Sequence, residues 1–121
     1  MTAPPVWWAI ALGGGAGSVL RAAVSVAFAR AGWPLGTLAV NIAGSALLGA
    51  LAAWLPGRSP SPAVVAALTT GLCGGFTTMS TFALEVVQQW QGGAPGRAAA
   101  YAVASLVLSV GAAALGYAAA R

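Results

Sequence analysis

Histidine, lysine and aspartate are absent from this chain, and Glu85 is its one acid. With no imidazole and no carboxylate pair there is no nucleophile–base set, which argues against an enzyme. Cys73 is the only cysteine, so no intrachain disulfide and no zinc spacing exists. Its thiol reads either as buried and inert, the reading its apolar setting favours, or as reactive. Charge is scarcer still. Only 5% of the 121 residues are charged, against about a quarter in a soluble domain. The chain lacks the material for a water-facing surface. Its five cations are Arg21, Arg30, Arg58, Arg97 and Arg121. They are scattered, so a pI near 10.8 reflects flank and site chemistry rather than a nucleic-acid patch.

What fills the chain is apolar: 60% of the residues are hydrophobic. A helix crossing the hydrocarbon core needs roughly 20 such residues. Four runs qualify, at about 6–29, 35–55, 61–84 and 98–120, in a single domain. The breakers between them are "RAGWP", "PGRSP" and "EVVQQWQGGAPGR". The start, "MTAPPVWW", has no basic region ahead of its apolar run and is read as a retained first helix. Tryptophans 7, 8, 33, 54 and 90 fall near span ends, where indoles sit at the headgroups. Four spans put Arg58 and Arg121 on one membrane face and Arg30 and Arg97 on the other. Two against two gives the positive-inside rule nothing to decide. Insertion in both orientations and pairing as an antiparallel homodimer is one consequence; a weak bias set by the amino terminus or by lipid is the other.

Seventeen glycines ask for an explanation. Gly13 and Gly17 form a GxxxG pair, as do Gly71 and Gly75, and Ala112 with Gly116 is a relaxed version. Small faces let helices approach closely in lipid. They predict a compact bundle or dimer and say nothing of function.

The polar residues are more specific, because hydrocarbon tolerates them only beside a partner or a water-filled path. Thr37, Asn41 and Ser45 recur every four residues in the second span, and Tyr101, Ser105 and Ser109 do so in the fourth. Each stripe is uncharged. Each reads either as interhelical hydrogen bonding or as the lining of a path. Arg21 and Glu85 lie within or at the edge of spans, which makes function the default. An ion pair at an aqueous vestibule and separate snorkelling to the headgroups are the two readings. "GGFTTMSTF", residues 74–82, places poor helix formers and four hydroxyls inside a span. A helix breaks there. The break frees carbonyls that suit a small cation and N–H groups that suit an anion. Met79 and Phe82 follow, three apart on one face.

The runs "GGGAGSVLR" (13–21), "GTLAVNIAGS" (36–45) and "GLCGGFTTMSTFALE" (71–85) resemble the Fluc, or CrcB, family of fluoride channels. With Tyr101, Ser105 and Ser109 the resemblance covers essentially the whole chain. It implies an all-α membrane protein of four transmembrane helices per subunit, the third broken near its middle. It also implies an antiparallel, dual-topology homodimer with two fluoride pores in the bacterial plasma membrane. A structural sodium ion at the dimer centre is implied too, held by the backbone carbonyls of Gly74 and Thr77. Asn41, Phe82, Met79, Thr37, Tyr101, Ser105 and Ser109 match the pore positions. Arg21 would concentrate anions electrostatically. The implied role is passive fluoride export, which lowers fluoride toxicity.

One residue departs from the family pattern. The family has TTFSTF where this chain has TTMSTF, so Met79 stands in place of the first pore phenylalanine. Thioether fills similar space without an electropositive ring edge. The rival class is a small dual-topology, proton-coupled multidrug exporter. That chemistry needs a membrane-embedded carboxylate, typically in the first span, where this chain has Arg21.

Overall fold

The computed structural model describes residues 3–29 and 33–121; Arg30, one of the four loop arginines counted above, lies outside them. The described residues are helical throughout their regular structure. Helix α1 runs Pro4–Ala27 and α2 runs Leu35–Trp54. A short turn at Pro56–Arg58 leads into the third span, which is composite. It comprises α3 (Pro62–Ala66), a π-helical stretch (Ala67–Cys73), α4 (Gly74–Phe76) and α5 (Met79–Gln91). Helix α6, Pro95–Ala120, completes the chain. Among the described residues four spans, counting Pro62–Gln91 as one, are long and apolar enough to cross a membrane.

Proline starts these helices. It occupies the first turn of α1, α3 and α6, where its missing N–H is no loss and its fixed φ is already helical. Ser61 adds a cap to α3, its hydroxyl accepting from Val64 N at 3.3 Å. The third span runs farther than the sequence reading placed it. Glutamate and glutamine are good helix formers, and nothing stops the helix before Gly92 and Gly93, the latter at φ 83°. Glu85 therefore sits in the middle of α5 rather than at the end of a span.

The bundle consists of two side-by-side pairs. In the first, Gly13 and Gly17 of α1 meet the backbone of Ala67, Leu72 and Gly75, while Gly71 and Gly75 meet that of Ile10 and Gly14. A Cβ on Gly75 would strike the Gly14 carbonyl oxygen. In the second pair, Gly49 of α2 abuts the Ala113 carbonyl, and Gly116 of α6 abuts that of Ala46. Both GxxxG pairs, and Gly116 of the relaxed pair, thus lie at helix contacts inside the subunit. Backbone against backbone at these points maximises dispersion contact where lipid offers no hydrophobic drive.

The outer surface is apolar. Leu12, Val19, Val26, Leu106 and Leu115 are each more than 60% exposed, which suits lipid or a second subunit and not water. Trp7, Trp8, Trp33, Trp54 and Trp90 are exposed near helix ends. Two of them carry arginines: the Arg58 guanidinium lies 4.1 Å from the Trp54 ring centroid, and that of Arg97 5.2 Å from Trp33.

Candidate functional site

The third span stops being helical at Thr77 and Thr78, whose backbones are extended (φ −87°, ψ 160° and φ −153°, ψ 111°). Gly74 and Gly75, the residues that first pointed to this place, are themselves helical. Side chains make the interruption. The Thr77 hydroxyl turns back to donate to Cys73 O at 2.9 Å, alongside the Thr77 N–H at 3.0 Å. The Thr78 hydroxyl accepts from Thr81 N at 3.2 Å and caps α5. Asn41, from α2, then pairs with the extended backbone. Its Oδ1 accepts from Thr78 N at 2.8 Å, and its Nδ2 donates to Thr78 O at 3.2 Å. The amide thus replaces the partners that a continuous helix would have supplied.

These substitutions release specific carbonyls. In a continuous helix Gly74 O would accept from Thr78 N, and Thr77 O from Thr81 N. Both donors are diverted, one to Asn41 and the other to the Thr78 hydroxyl. Gly75 O is taken instead by Arg21 Nε at 3.0 Å. Arg21 therefore sits at the carboxyl-terminal end of α4, where a cation is favoured. No ion pair joins it to Glu85. Gly74 is exposed on the subunit surface.

On the other side of the interruption lies a groove of about 270 Å³. Asn41 and Ser45 come from α2, Thr77, Thr78, Met79 and Phe82 from the interruption and α5, and Ser105 and Ser109 from α6. The two polar stripes meet here. Within the groove no hydrogen bond joins Asn41 or Ser45 to Ser105 or Ser109, and the stripes approach each other only deeper, at Thr37 and Tyr101. The second Nδ2 hydrogen of Asn41 is left over from its pairing with Thr78 and is available to the groove. The amino-terminal turn of α5 opens onto the same space, with backbone N–H groups suited to negative charge. No carboxylate lines it.

Met79 stands at the rim, 75% exposed, while Phe82 is half-buried and leans on Tyr101 with ring centroids 5.3 Å apart at 56°. Behind that pair lie buried polar atoms. Thr37, Tyr101 and Ser105 are 5%, 1% and 6% exposed. Glu85 approaches Thr37 and Tyr101, and Tyr101 approaches Thr37 and Ser105. Yet Glu85 Oε1, the Tyr101 hydroxyl and the Ser105 hydroxyl complete no hydrogen bond. A buried Oε1 holds Glu85 against its own subunit, as the vestibule reading requires and snorkelling does not.

Of the residues singled out from sequence, Asn41, Met79, Phe82, Ser105 and Ser109 meet in the groove, and Thr37, Tyr101 and Glu85 cluster next to Ser105 behind it. Gly74 and Arg21 belong to the other side of the interruption. Thr78 was read as part of the break but not as a cap, although a threonine three residues ahead of Thr81 carries that signal. Gln89 was missed; its Oε1 is buried without a partner, one turn beyond Glu85.

Residues 8–117 match the model of the family described as CrcB-like protein, Camphor Resistance (CrcB). The chain is 44% identical to a protein of Bordetella avium over all of its own length and 97% of that relative's. It is 47% identical to one from a Ruegeria species, covering 93% and 91% of the two chains, and 45% identical to one from Paracoccus denitrificans, covering 85% and 84%. All three relatives are named fluoride-specific ion channel FluC. Matched across nearly its whole length and over every residue of the groove, the chain belongs to the CrcB-like family.

Proposed function

We propose that this protein is a fluoride-selective channel that lets fluoride leave the cytoplasm passively and so lowers its toxicity. The observation that carries this reading is the groove, which offers an amide N–H, hydroxyls and a ring edge, with no fixed charge along its lining. Fluoride is small and tightly hydrated, so a path must replace its water with donors. A cation site would instead present carbonyls or carboxylates. The matching relatives named as fluoride channels support the same conclusion. The proton-coupled exporter finds no carboxylate in the groove, and the first span holds Arg21 rather than an acid.

The working unit in this proposal is an antiparallel dimer of two oppositely inserted copies in a bacterial plasma membrane. Gly74 O and Thr77 O, the carbonyls that lost their helical donors, are of the kind that holds sodium, and Gly74 is open on the surface. Bound there, the ion would tie the interruptions of two subunits together.

Purified protein in liposomes tests the central claim. Fluoride efflux far above chloride efflux, with no dependence on a proton gradient, is the expected result. Proton-driven efflux of a quaternary-ammonium drug without fluoride flux would reverse it. For the dimer, lysines added to one loop face should silence each locked version alone and leave a complementary pair active; a single fully active locked version contradicts dual topology. Replacing sodium with a large organic cation should lower flux, and unchanged flux would remove the sodium site.

A further inference from the structure

Gln89 has no place in the motif that carries the family resemblance, which ends at Glu85. Its side-chain Oε1 is nevertheless covered by the subunit and meets no donor. Three other side-chain atoms share that condition among the described residues: Glu85 Oε1, the Tyr101 hydroxyl and the Ser105 hydroxyl. Those three belong to the groove and the cluster behind it. The fourth is on the same face of α5 as Glu85, one helical turn farther on.

A buried acceptor without a donor costs about 1–3 kcal/mol, and native proteins keep few of them. Such a group calls for an explanation, and an ion path that uses it is one. Because the buried end of the Gln89 amide is covered by its own subunit, neither lipid nor a second copy supplies the missing partner. The two ends of a glutamine amide have the same shape, and a half-turn about the terminal bond exchanges them. With the NH₂ end inward, the residue presents two donors toward the side of α5 that carries Glu85. An anion shedding water needs such donors, and a carboxylate accepts from them.

Position along the bundle agrees. The Gln89 carbonyl accepts from Ala94 N at 2.9 Å, so the turn into α6 closes beside it at the end of the span. Arg97, in the first turn of α6 and stacked over Trp33, places a positive charge at that same end. An anion moving along α5 from Tyr101 and Glu85 toward the membrane surface would meet this end.

We propose that Gln89 is the last donor of the ion path, its amide taking the place of water around fluoride between Glu85 and the membrane surface near Arg97. The proposal rests on the fluoride-channel reading. It adds a residue that gives this chain a longer polar track than the motif alone defines.

Two isosteric variants test it in liposomes, with fluoride efflux measured beside the wild type. Gln89→Met keeps the volume and removes every polar atom, and Gln89→Glu keeps the shape and removes the donors. Expected is a threefold or greater loss of fluoride flux for Gln89→Met and a larger loss for Gln89→Glu. Elution in detergent should stay at the wild-type position; the thermal midpoint should stay or rise for Gln89→Met, where an orphaned buried oxygen is gone, and fall somewhat for Gln89→Glu, which adds a like charge one turn from Glu85. If Gln89→Met does not yield folded protein, Gln89→Glu alone decides. Flux within threefold of wild type in the deciding variant overturns the proposal. A wild type that passes no fluoride instead defeats the channel reading, so the two failures are distinct.

Discussion

The α2–α6 pair and the pair formed by α1 with the third span are assembled from the same contacts, small residues pressed against a neighbouring backbone. One pair stays continuous. Gly49 and Gly116 bring α2 and α6 together, and both helices run without interruption. In the other pair Gly71 and Gly75 do the same against α1, yet the helix passes through a π-helical stretch and then stops at Thr77. Glycine alone therefore does not break a helix in this protein. What differs is the hydrogen bonding offered at Thr77–Thr78, where two hydroxyls and the Asn41 amide outcompete the helix for its own backbone groups. In lipid a broken helix survives only when such partners are supplied.

Removing those partners should have the largest effect. Asn41→Leu deletes bonds of 2.8 and 3.2 Å and leaves Thr78 N–H and C=O unpaired at membrane depth. At about 1–3 kcal/mol for each orphaned group, the thermal midpoint in detergent should drop and fluoride flux should vanish. Wild-type flux in this variant would mean that the interruption holds itself open, and the comparison between the pairs would lose its cause.

Next comes a contrast between adjacent glycines. Gly75→Val drives side-chain atoms into Gly14 and should destabilise the subunit by about 1–3 kcal/mol, as overpacking does. At Gly74 an added Cβ finds only Thr69 O, at 3.9 Å, so Gly74→Val has room within the subunit. Any large loss there must come from outside it. Cross-linking and thermal melts on both variants should show monomer damage for Gly75 and, for Gly74, damage confined to dimer formation. Equal monomer damage would remove the argument that Gly74 faces a partner.

Phe82→Ile tests the groove itself. It removes a ring that leans on Tyr101, a contact worth about 0.5–1.5 kcal/mol, and with it the electropositive edge. Flux should fall several-fold, more than the small drop in thermal midpoint expected from losing that contact. Met79→Phe should bring a modest gain in flux, because Met79 is 75% exposed at the rim and a ring there displaces nothing. A large loss would show that neighbouring residues depend on the thioether. Thr77→Ser should matter least, since the hydroxyl that donates to Cys73 O is retained.

Much of the site was legible because membrane-embedded polarity is costly and therefore informative. Thr37, Asn41 and Ser45 announced a stripe by their spacing, as did Tyr101, Ser105 and Ser109, and the two stripes lie together. The interruption was legible as the run from Gly74 to Thr78, but within it Gly74 and Gly75 are helical and only Thr77 and Thr78 are not. Glu85 was misplaced. Polar glutamines after it resembled a loop, whereas intrinsic propensity carried α5 on to Gln91. Arg21 was recognised as exceptional, but its partner, the Gly75 carbonyl, is a backbone group created only by the end of α4.

By itself the sequence determined the solvent. With so few charges and four long apolar runs, each backbone must satisfy its own hydrogen bonds, and helices follow from that requirement alone. It also determined which small and polar residues share a face, because that is a matter of spacing along a helix. Only the tertiary structure decided what those faces meet. Asn41 and Thr78 are 37 positions apart, and nothing local to either predicts that an amide from α2 will complete the backbone of the third span. The same holds for the orphaned oxygens of Glu85, Gln89, Tyr101 and Ser105. Their lack of partners is a property of the packed interface between helices, where water is excluded and each missing donor counts.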